Sequence, residues 1–347
     1  MTSGPMAEAA KQLSLRDRLF ASRETKALGP IIDAGVDRVE KGLADQVHFT
    51  HDVADAAGRY LLDAGGKRVR PMLALLTSQL GTGITDEVIT ASQAIEITHL
   101  ASLYHDDVMD DAPLRRGVDS AHVVWGNSIA ILTGDLLFAR ASTLMARLGE
   151  RAIKLQAETF ERLCIGQLNE TVGPKPGDDP LAHYIHVLED KTGSLISAAA
   201  RSGVIFSGAP EEYEAAVVGF GDKIGVAFQL ADDVIDLSPD AKTGKQAGTD
   251  LKAGVVTLPT LYLARSAQTN PADADLQERI RLAVEADDDA ALAELTIELY
   301  NHEVTDLTRA EAHRWATEAV AALAPLPEGA VKKALAAFAD HVVSRTN

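Results

Sequence analysis

Apolar residues with helical spacing run along nearly the whole chain of 347 residues, and little of it alternates as a strand would. Alanine and leucine are abundant while aromatic residues make up only 5%, a composition that favours helices. Polar breaks containing Gly and Pro lie at 171–180, 238–250 and 267–274. With 46% hydrophobic residues, the chain can bury a large core. We therefore expect an all-α, single-domain bundle of about a dozen helices.

The periodic segments predict helices over about 89–108, 128–148, 151–170, 181–207, 211–236, 256–266, 275–298, 305–323 and 328–345. We expect a mobile N-terminal tail over residues 1–25 and a single folded domain over residues 26–347. No segment matches a signal peptide or the roughly 18 uninterrupted apolar residues of a membrane span. The single cysteine, Cys164, is expected to be a small buried hydrophobe, and its count fits a cytoplasmic location.

The net charge of −18 constrains the partners of the chain. Nucleic acids and anionic membrane surfaces attract basic proteins, so the charge argues against both as partners. An anionic small-molecule substrate would need cations placed locally at its binding site.

Four aspartates follow an apolar helical segment within the sequence HDDVMDD: Asp106, Asp107, Asp110 and Asp111. Helical residues four apart lie about 5–6 Å from each other on one face, so Asp106 should point with Asp110, and Asp107 with Asp111. Like charges at this spacing repel, and a bound divalent cation reverses that repulsion. Mg²⁺ prefers such hard oxygen ligands. A solvated acidic helix end is an equally good interpretation of this cluster alone.

A second cluster changes that balance. It lies in FQLADDVID and contains Asp232, Asp233 and Asp236, again after an apolar helical segment. Two DDxxD patterns at the ends of two buried helices can face each other across one cavity. We interpret them as a site for several Mg²⁺ ions and a diphosphate, because two unrelated acidic helix ends would be an unusual coincidence.

Basic residues near these clusters could hold the phosphates. GGKRVRP supplies Lys67, Arg68 and Arg70 on a glycine turn, and LRRG supplies Arg115 and Arg116 just after the first cluster. Arginine suits bidentate contact with phosphate, whereas lysine acts as a point charge. Either run alone would more often be a solvated face.

With these motifs the chain resembles the trans-isoprenyl diphosphate synthases, or polyprenyl synthetases, of the long-chain type. GGKRVRP, HLASLYHDDVMDDAPLRRG, KTGSLI, FQLADDVID and GKQAGTDLKAGVVTLP occur in the family's order within about residues 50–345. The resemblance implies an isoprenoid-synthase bundle around a deep central hydrophobic cavity, assembled as a homodimer. It also implies an enzyme that adds isopentenyl diphosphate (IPP) head-to-tail to an allylic diphosphate.

The resemblance further implies residue roles. For the IPP diphosphate it implies Lys67, Arg70, His99 and Arg116. For the allylic diphosphate it implies Arg115, Lys191, Thr192, Gln229 and Lys245. The ligands of Mg²⁺, with three ions per active site, would be Asp106, Asp110 and Asp232. The catalytic set would be Asp106, Asp107, Asp110, Asp232, Asp233, Asp236 and Lys191. One departure is Val255, which stands where many relatives carry a lysine.

Product length is expected to follow from the side chains just before Asp106. These are Ala101 and Ser102, both small, where short-product relatives often carry an aromatic plug. We therefore expect a long product of about C30–C50, with Phe160 or Leu163 as a deeper floor. A geranylgeranyl or farnesyl diphosphate synthase is the alternative, and a non-catalytic subunit of a hetero-oligomeric synthase is another. A terpene cyclase would need neither GGKRVRP nor the second DDxxD.

Overall fold

Helices make up most of the computed structural model, which describes residues 15–239 and 247–346. In chain order, they are α1 (Leu15–Leu19), α2 (Leu28–Gln46), α3 (Asp52–Asp63), α4 (Val69–Thr77), α5 (Asp86–Met109), α6 (Ala121–Trp125), α7 (Asn127–Arg147), α8 (Glu150–Val172), α9 (Pro180–Leu188), α10 (Ser194–Phe206), α11 (Glu214–Asp236), α12 (Thr249–Lys252), α13 (Leu258–Ser266), α14 (Pro271–Glu285), α15 (Asp289–Tyr300), α16 (Glu303–Ala322) and α17 (Ala330–Ser344). A hairpin of β1 (Leu114–Arg115) and β2 (Val118–Asp119) follows α5. The all-α expectation is confirmed.

Helix α5 lies at the centre of the bundle. It begins after Thr85, whose side chain accepts the N–H of Val88 at 3.1 Å, a regular N-terminal cap. Most of its residues are buried, because it packs against α2, α4, α7 and α10. Helix α11 packs in turn against α10 and α16. The two helices that end in aspartate clusters are therefore both interior helices, joined through α10.

Two hydrophobic clusters form the core. The larger one extends from α1 to α17 and includes α5, α10 and α11. The smaller one joins α12 to the α14–α16 region through residues such as Leu251, Leu276 and Leu299. The smaller cluster supports the segment that follows the second aspartate motif.

The start of the described chain is packed rather than free. Leu19 and Phe20 are 1% and 9% exposed and belong to the main core. Helix α1 packs against α17, where Arg18 Nη1 donates to Ser344 Oγ at 2.6 Å. The expected tail over 1–25 therefore has a structured part from Leu15 onward, and residues 1–14 lie outside the described residues.

Three further expectations need correction. The helix expected over 275–298 is two helices, because Asp287 adopts a left-handed φ of 48° and the side chain of Asp288 caps α15. The helix expected over 181–207 is interrupted by a π-helical turn at Glu189–Gly193. Cys164 is exposed on α8 rather than buried.

Helix α7 is, within the described part of the chain, the one helix long and apolar enough to cross a membrane by length and composition. It packs against α5, and its buried face carries Leu137, Ala141, Leu144 and Met145. One such helix is weak evidence for a membrane span, and 39% of its apolar window is buried within this chain.

Candidate active site

The loop GGKRVRP is held from inside by one buried arginine. Arg68 is 7% exposed and has a left-handed backbone, with φ 47°. Its guanidinium donates to Glu40 Oε1 at 2.5 Å and to the buried Glu96 Oε1 at 3.3 Å. Lys67 and Arg70 line the adjacent cavity, to which Arg68 also contributes. Arg68 therefore fixes the shape of the loop that presents its two neighbours.

The hairpin after α5 supplies two more arginines. Its turn residues Arg116 and Gly117 have φ 54° and 80°, the left-handed values that a two-residue hairpin requires. Arg116 Nη1 donates to Leu61 O at 2.5 Å and also bonds the carbonyl of Gly65. The hairpin is thereby tied to the GGKRVRP loop, and both Arg115 and Arg116 line the cavity.

One wall of the cavity is strongly cationic. Burial lowers the pKa of Arg70, and its Nε is buried without a hydrogen-bond partner among the described residues. The pKa of His99 lies well below its usual value because of burial and the nearby arginines Arg70 and Arg116. His99 is therefore neutral, with one ring N–H to donate. A buried donor without a partner among the described residues, next to further cationic side chains, is suited to a bound anion.

The aspartates of the first cluster have two different positions: some line the cavity and one is buried in the fold. Asp106 and Asp110 line the cavity, as their spacing predicted. Burial, with Asp110 nearby, raises the pKa of Asp106 to about 6. Asp107 is fully buried and accepts from Arg115 Nε at 2.5 Å. Because α5 ends at Met109, Asp111 lies outside the helix with φ 48°, and it does not share a helical face with Asp107.

The π-helical turn brings Lys191 and Thr192 to the cavity. Glycines make this approach possible: a Cβ on Gly166 would lie 2.6 Å from Lys191 N, and one on Gly225 would lie 2.5 Å from Gly193 Cα. Burial lowers the pKa of Lys191, but Asp106 and Glu170 outweigh this and the pKa is raised. Lys191 thus remains charged beside the first cluster.

Arg162 on α8 anchors the same turn. It donates to Asp190 Oδ1 at 2.9 Å, to Asp222 Oδ1 at 3.0 Å and to the carbonyl of Glu189 at 3.1 Å. π-Helical turns often occur at functional sites. Here one arginine joins α8, the turn and α11, so the position of Lys191 is set by three elements.

These parts enclose a cavity of about 650 Å³. The expected site residues that it brings together are Lys67, Arg70, His99, Ser102, Asp106, Asp110, Arg115, Arg116, Lys191, Thr192 and Gln229. Its apolar lining is formed by Leu103, Leu163, Leu195, Ile196 and Phe228. The cavity wall therefore combines charged and apolar side chains.

Ala101 is not part of the cavity wall. It is fully buried on the side of α5 that faces α7, where its carbonyl lies 3.2 Å from the position of a Cβ on Gly134. Ser102 does line the cavity. Of the two residues expected to limit product length, only Ser102 is placed to touch a substrate. Lys245 lies outside the described residues.

The second aspartate cluster is tied into the fold. Asp233 is 7% exposed and accepts from the Tyr184 hydroxyl at 2.7 Å and from Leu258 N at 3.0 Å. Burial raises its pKa to about 7. Asp236 Oδ2 accepts from Asp250 N at 3.0 Å. These bonds fix the segment that leads from α11 to α13.

Asp232 has a different partner, the C-terminal Arg345. Arg345 Nη2 donates to Asp232 Oδ1 at 2.8 Å, and its guanidinium lies 4.9 Å from the ring centroid of Phe228. Phe228 also lines the cavity. The end of the chain therefore supplies a cation to the second cluster.

A second cavity, of about 580 Å³, is lined by Met109 and Asp110 at the end of the first cluster and by Tyr184 and Val255. Tyr184 is the residue whose hydroxyl bonds Asp233 of the second cluster. Val255 is 48% exposed, so a lysine there would point its charge into this space. Lys252 does not replace it, because its Nζ pairs with Asp289.

Comparisons with known proteins agree with this geometry. Residues 51–313 match the family model described as Polyprenyl synthetase. The chain belongs to the polyprenyl synthetase family. A nonaprenyl diphosphate synthase of Mycobacterium tuberculosis is 42% identical over 335 residues, which cover 96% of each chain. An octaprenyl diphosphate synthase of Escherichia coli is 31% identical, over 88% of this chain and 94% of that protein.

Solved structures of polyprenyl synthases have the same fold. A polyprenyl synthase from Caulobacter crescentus, complexed with calcium and isoprenyl diphosphate, has a TM-score of 0.82 at 32% identity, over 96% of this chain and 98% of that one. A decaprenyl diphosphate synthase from Rhodobacter capsulatus has a TM-score of 0.81 at 30% identity, over 96% of this chain and 99% of that one. This member of the polyprenyl synthetase family is thus a trans-prenyltransferase.

The donor set fits a hard divalent cation that the substrate helps to bind. In the described residues no group of three or more His, Cys, Asp or Glu side chains is close enough to hold a metal ion by itself. Mg²⁺ is usually held by one or two carboxylates with water and substrate phosphates. Asp106 and Asp110, both facing the cavity, supply such a pair.

Several residues of this synthetase's site were missed from the sequence. They are Glu96, Arg162, Glu170, Tyr184 and Arg345. Each acts through a partner far away in the chain, so no local motif marks it. The one usable signal was the π-helical turn sequence KTG, whose glycine permits a close approach to α11.

Proposed function

We propose that the chain condenses IPP with an allylic diphosphate to make a long all-trans polyprenyl diphosphate of about C30–C50. The single observation that carries this is the cavity, which combines a cationic wall, a carboxylate pair and an apolar interior. The names of its relatives, nonaprenyl, octaprenyl and decaprenyl diphosphate synthases, support the long product.

The cationic wall is the proposed IPP subsite. Lys67, Arg70 and Arg116 would hold the diphosphate, with the unpartnered Nε of Arg70 among the donors. The neutral ring of His99 would donate one hydrogen bond without adding charge. Holding the nucleophilic double bond beside the second substrate lowers the entropic cost of their reaction.

The opposite wall is the proposed subsite for the allylic diphosphate. Asp106 and Asp110 would hold Mg²⁺ there, with Asp232 for a further ion and three ions in total. Bound Mg²⁺ supplies Lewis-acid stabilisation of the charge that develops on the departing diphosphate. Lys191 is half-buried beside Asp106 with a raised pKa, and its fixed positive charge would act on the same departing diphosphate.

The apolar interior would take the growing tail. Leu163, Leu195 and Ile196 exclude water from the allylic carbons, which protects a cationic centre from hydrolysis. No protein nucleophile is needed, and the released diphosphate is the proposed base for the final proton. Ser102 is the cavity residue next to the tail one turn before Asp106.

We also propose a homodimer formed through α6, α7 and α8. These helices expose a group of large apolar side chains: Val123, Val124, Ile131, Leu132, Leu136, Ile153, Ile165 and Leu168. Patches of this kind on a globular protein mark interaction sites. A cytoplasmic location is proposed with it, supported by the single free cysteine.

A geranylgeranyl diphosphate synthase is the second candidate. The observation that favours it is the size of the cavity, about 650 Å³ for head groups and tail together. A geranylgeranyl pyrophosphate synthase from Corynebacterium glutamicum has a TM-score of 0.80 and is 38% identical to this chain, over 92% of it and 98% of that protein.

Product sizing separates the two candidates. The purified chain is incubated with farnesyl diphosphate, excess IPP and Mg²⁺, and the dephosphorylated products are sized by chromatography. Products of C30 or longer are expected. Accumulation of the C20 product contradicts the long-chain proposal, and absence of IPP incorporation contradicts the enzyme activity itself.

A further inference from the structure

A hydrogen bond between two buried side chains joins α5 and α8. Gln156 Nε2 donates to Thr98 Oγ1 at 2.8 Å, and Thr98 Oγ1 donates to Ala94 O at 2.9 Å. Gln156 is 8% exposed and Thr98 is fully buried. Ile95 and Leu155, next to them on the same helices, belong to the main core. The pair thus places a primary amide within an otherwise largely hydrocarbon region.

The pair lies on the same helix faces as two residues that line the cavity. Thr98 precedes the cavity residue Ser102 by four positions on α5, and Gln156 precedes the cavity residue Leu163 by seven on α8. Residues four or seven apart share a helix face. Thr98 is eight residues from Asp106, or about 12 Å of helix. The pair therefore bridges the two helices below the present floor of the cavity.

A long product cannot be contained in the cavity above this bridge. The stretch of α5 between Asp106 and Thr98 is only about 12 Å long, and an extended C45 tail of nine isoprene units is several times longer than that. The cavity has about 650 Å³ and must also hold two diphosphates. A growing tail must therefore enter the space now filled by side chains of α5 and α8.

A buried, hydrogen-bonded amide resists displacement by a tail more strongly than an apolar side chain does. Bulky apolar side chains such as Phe160, whose ring centroid lies 4.4 Å from that of Phe138, can shift against a tail without losing polar contacts. Gln156 cannot, because moving it breaks its bond to Thr98 and places an unpaired amide against hydrocarbon. That penalty is about 1–3 kcal/mol. A tail long enough to reach Gln156 thus has an energetic cost that shorter tails do not have.

Resting on the proposed function, we propose that Gln156 and Thr98 form a polar gate that determines product length. A tail that stays above the gate leaves the hydrogen bond intact. A tail that passes it must displace the Gln156 side chain, so the strength of the bond sets the fraction of products released early. Gln156 and Thr98 are thereby specificity-determining residues, without any part in the chemistry at the diphosphates.

Substitutions at Gln156 test the gate in both directions. Gln156→Ala removes the amide, and the fraction of product at C20 or shorter is expected to fall about threefold. Gln156→Phe replaces a displaceable amide with a larger ring, and the fraction longer than C20 is expected to fall at least tenfold. Products are sized after incubation with farnesyl diphosphate, IPP and Mg²⁺, and total IPP incorporation is measured in the same samples.

Two more conservative variants test the same hydrogen bond with a lower risk of misfolding. Thr98→Val removes the acceptor at nearly constant volume and should shift products in the same direction as Gln156→Ala. The matched control is Thr308→Val on α16, a fully buried threonine that also donates to the carbonyl four residues earlier. The control should keep the wild-type product distribution, and melting temperatures show whether each variant is folded.

The outcomes distinguish the gate from the proposed function. Folded Gln156→Ala, Gln156→Phe and Thr98→Val variants that incorporate IPP and retain the wild-type distribution overturn the gate while leaving the synthase activity standing. A wild-type chain that incorporates no IPP overturns the synthase activity. A shift in Thr308→Val as large as that in Thr98→Val also overturns the gate, because general loosening of the bundle would then explain both.

Discussion

The two DDxxD motifs have the same sequence pattern and different structural roles. In the first, Asp106 and Asp110 face the cavity. In the second, Asp233 and Asp236 accept backbone N–H groups from the segment that follows, at Leu258 and Asp250. The difference arises from what comes next in the chain. The hairpin after the first motif bonds Asp107 through Arg115, whereas the segment after the second motif bonds both Asp233 and Asp236 through backbone N–H groups.

The middle aspartate is a scaffold residue in both motifs. Asp107 is buried against Arg115, and Asp233 is buried against Tyr184. A DDxxD motif at a helix end therefore needs one carboxylate turned inward to hold the structure after the helix. The sequence pattern does not show which carboxylates face the substrate. That depends on which of them are bonded by residues from other segments.

The largest effect is expected from removing a charge of the first motif. Asp106→Asn should lower kcat by about 10²–10³, the usual effect of losing one group that stabilises charge in a transition state. Its melting temperature at pH 8 should be unchanged or higher, because burial raises the pKa of Asp106 and penalises its charge. Steady-state IPP incorporation and calorimetry measure the two quantities. A folded variant with wild-type kcat would contradict the role assigned to Asp106.

A stability effect is expected next, from the second motif. Asp233→Ala leaves the Tyr184 hydroxyl and Leu258 N without their acceptor. Each unpaired buried donor costs about 1–3 kcal/mol, so the free energy of unfolding should fall by about 2–4 kcal/mol. Chemical denaturation measures it. Asp233→Asn is the matched control, since its amide oxygen can accept the same two bonds and should restore most of the loss.

Asp233 also predicts a dependence of stability on pH. Its carboxyl keeps a proton up to about pH 7 in the folded chain, against an ordinary pKa of 3.8. Folding therefore takes up a proton between these values, and the free energy of unfolding falls as pH rises from about 4 to 7. The fall in melting temperature between pH 5 and pH 8 should be smaller in Asp233→Asn than in the wild type. Equal falls would show that Asp233 is not the group responsible.

The smallest effect is expected at the edge of the second motif. Arg345→Met removes the cation that pairs with Asp232 while keeping a long side chain over Phe228. A partly exposed ion pair contributes about 0.2–1 kcal/mol, so the Mg²⁺ concentration for half-maximal activity should fall by up to about fivefold. Arg309→Met, which removes a surface pair with Asp306, is the control. A higher Mg²⁺ requirement in Arg345→Met would instead make Arg345 a ligand of the diphosphate.

Fold and motifs could be predicted from local patterns, because helical periodicity and charge spacing are properties of neighbouring residues. The long helices, the pairing of Asp106 with Asp110 and the arginine runs follow from these patterns. Cys164 on an exposed face and Ala101 facing α7 depend on which side of a helix meets its neighbour. That choice is made by packing between distant segments.

Other features depend on contacts between distant residues. The π-helical turn at Lys191 is held by Arg162, which precedes Asp190 by 28 residues and Asp222 by 60. The partners of Asp233 come from α9 and α13. Neighbouring residues carry no signal for these contacts. The break in the helix expected over 275–298 is different, because the run Asp287–Asp289 is a local signal: Asp287 is left-handed and Asp288 is a favourable N-cap for α15.

The most direct measurement compares the last aspartate of each motif, Asp110 and Asp236, under identical conditions. Asp110→Asn and Asp236→Asn are assayed side by side for kcat, Mg²⁺ requirement and melting temperature. We expect Asp110→Asn to lose about 10²–10³ in kcat. Asp236→Asn should stay within about tenfold of the wild type, because its amide oxygen still accepts the N–H of Asp250. Equal losses in two folded variants would contradict the assignment of Asp110 to the substrate side and of Asp236 to the support of the fold.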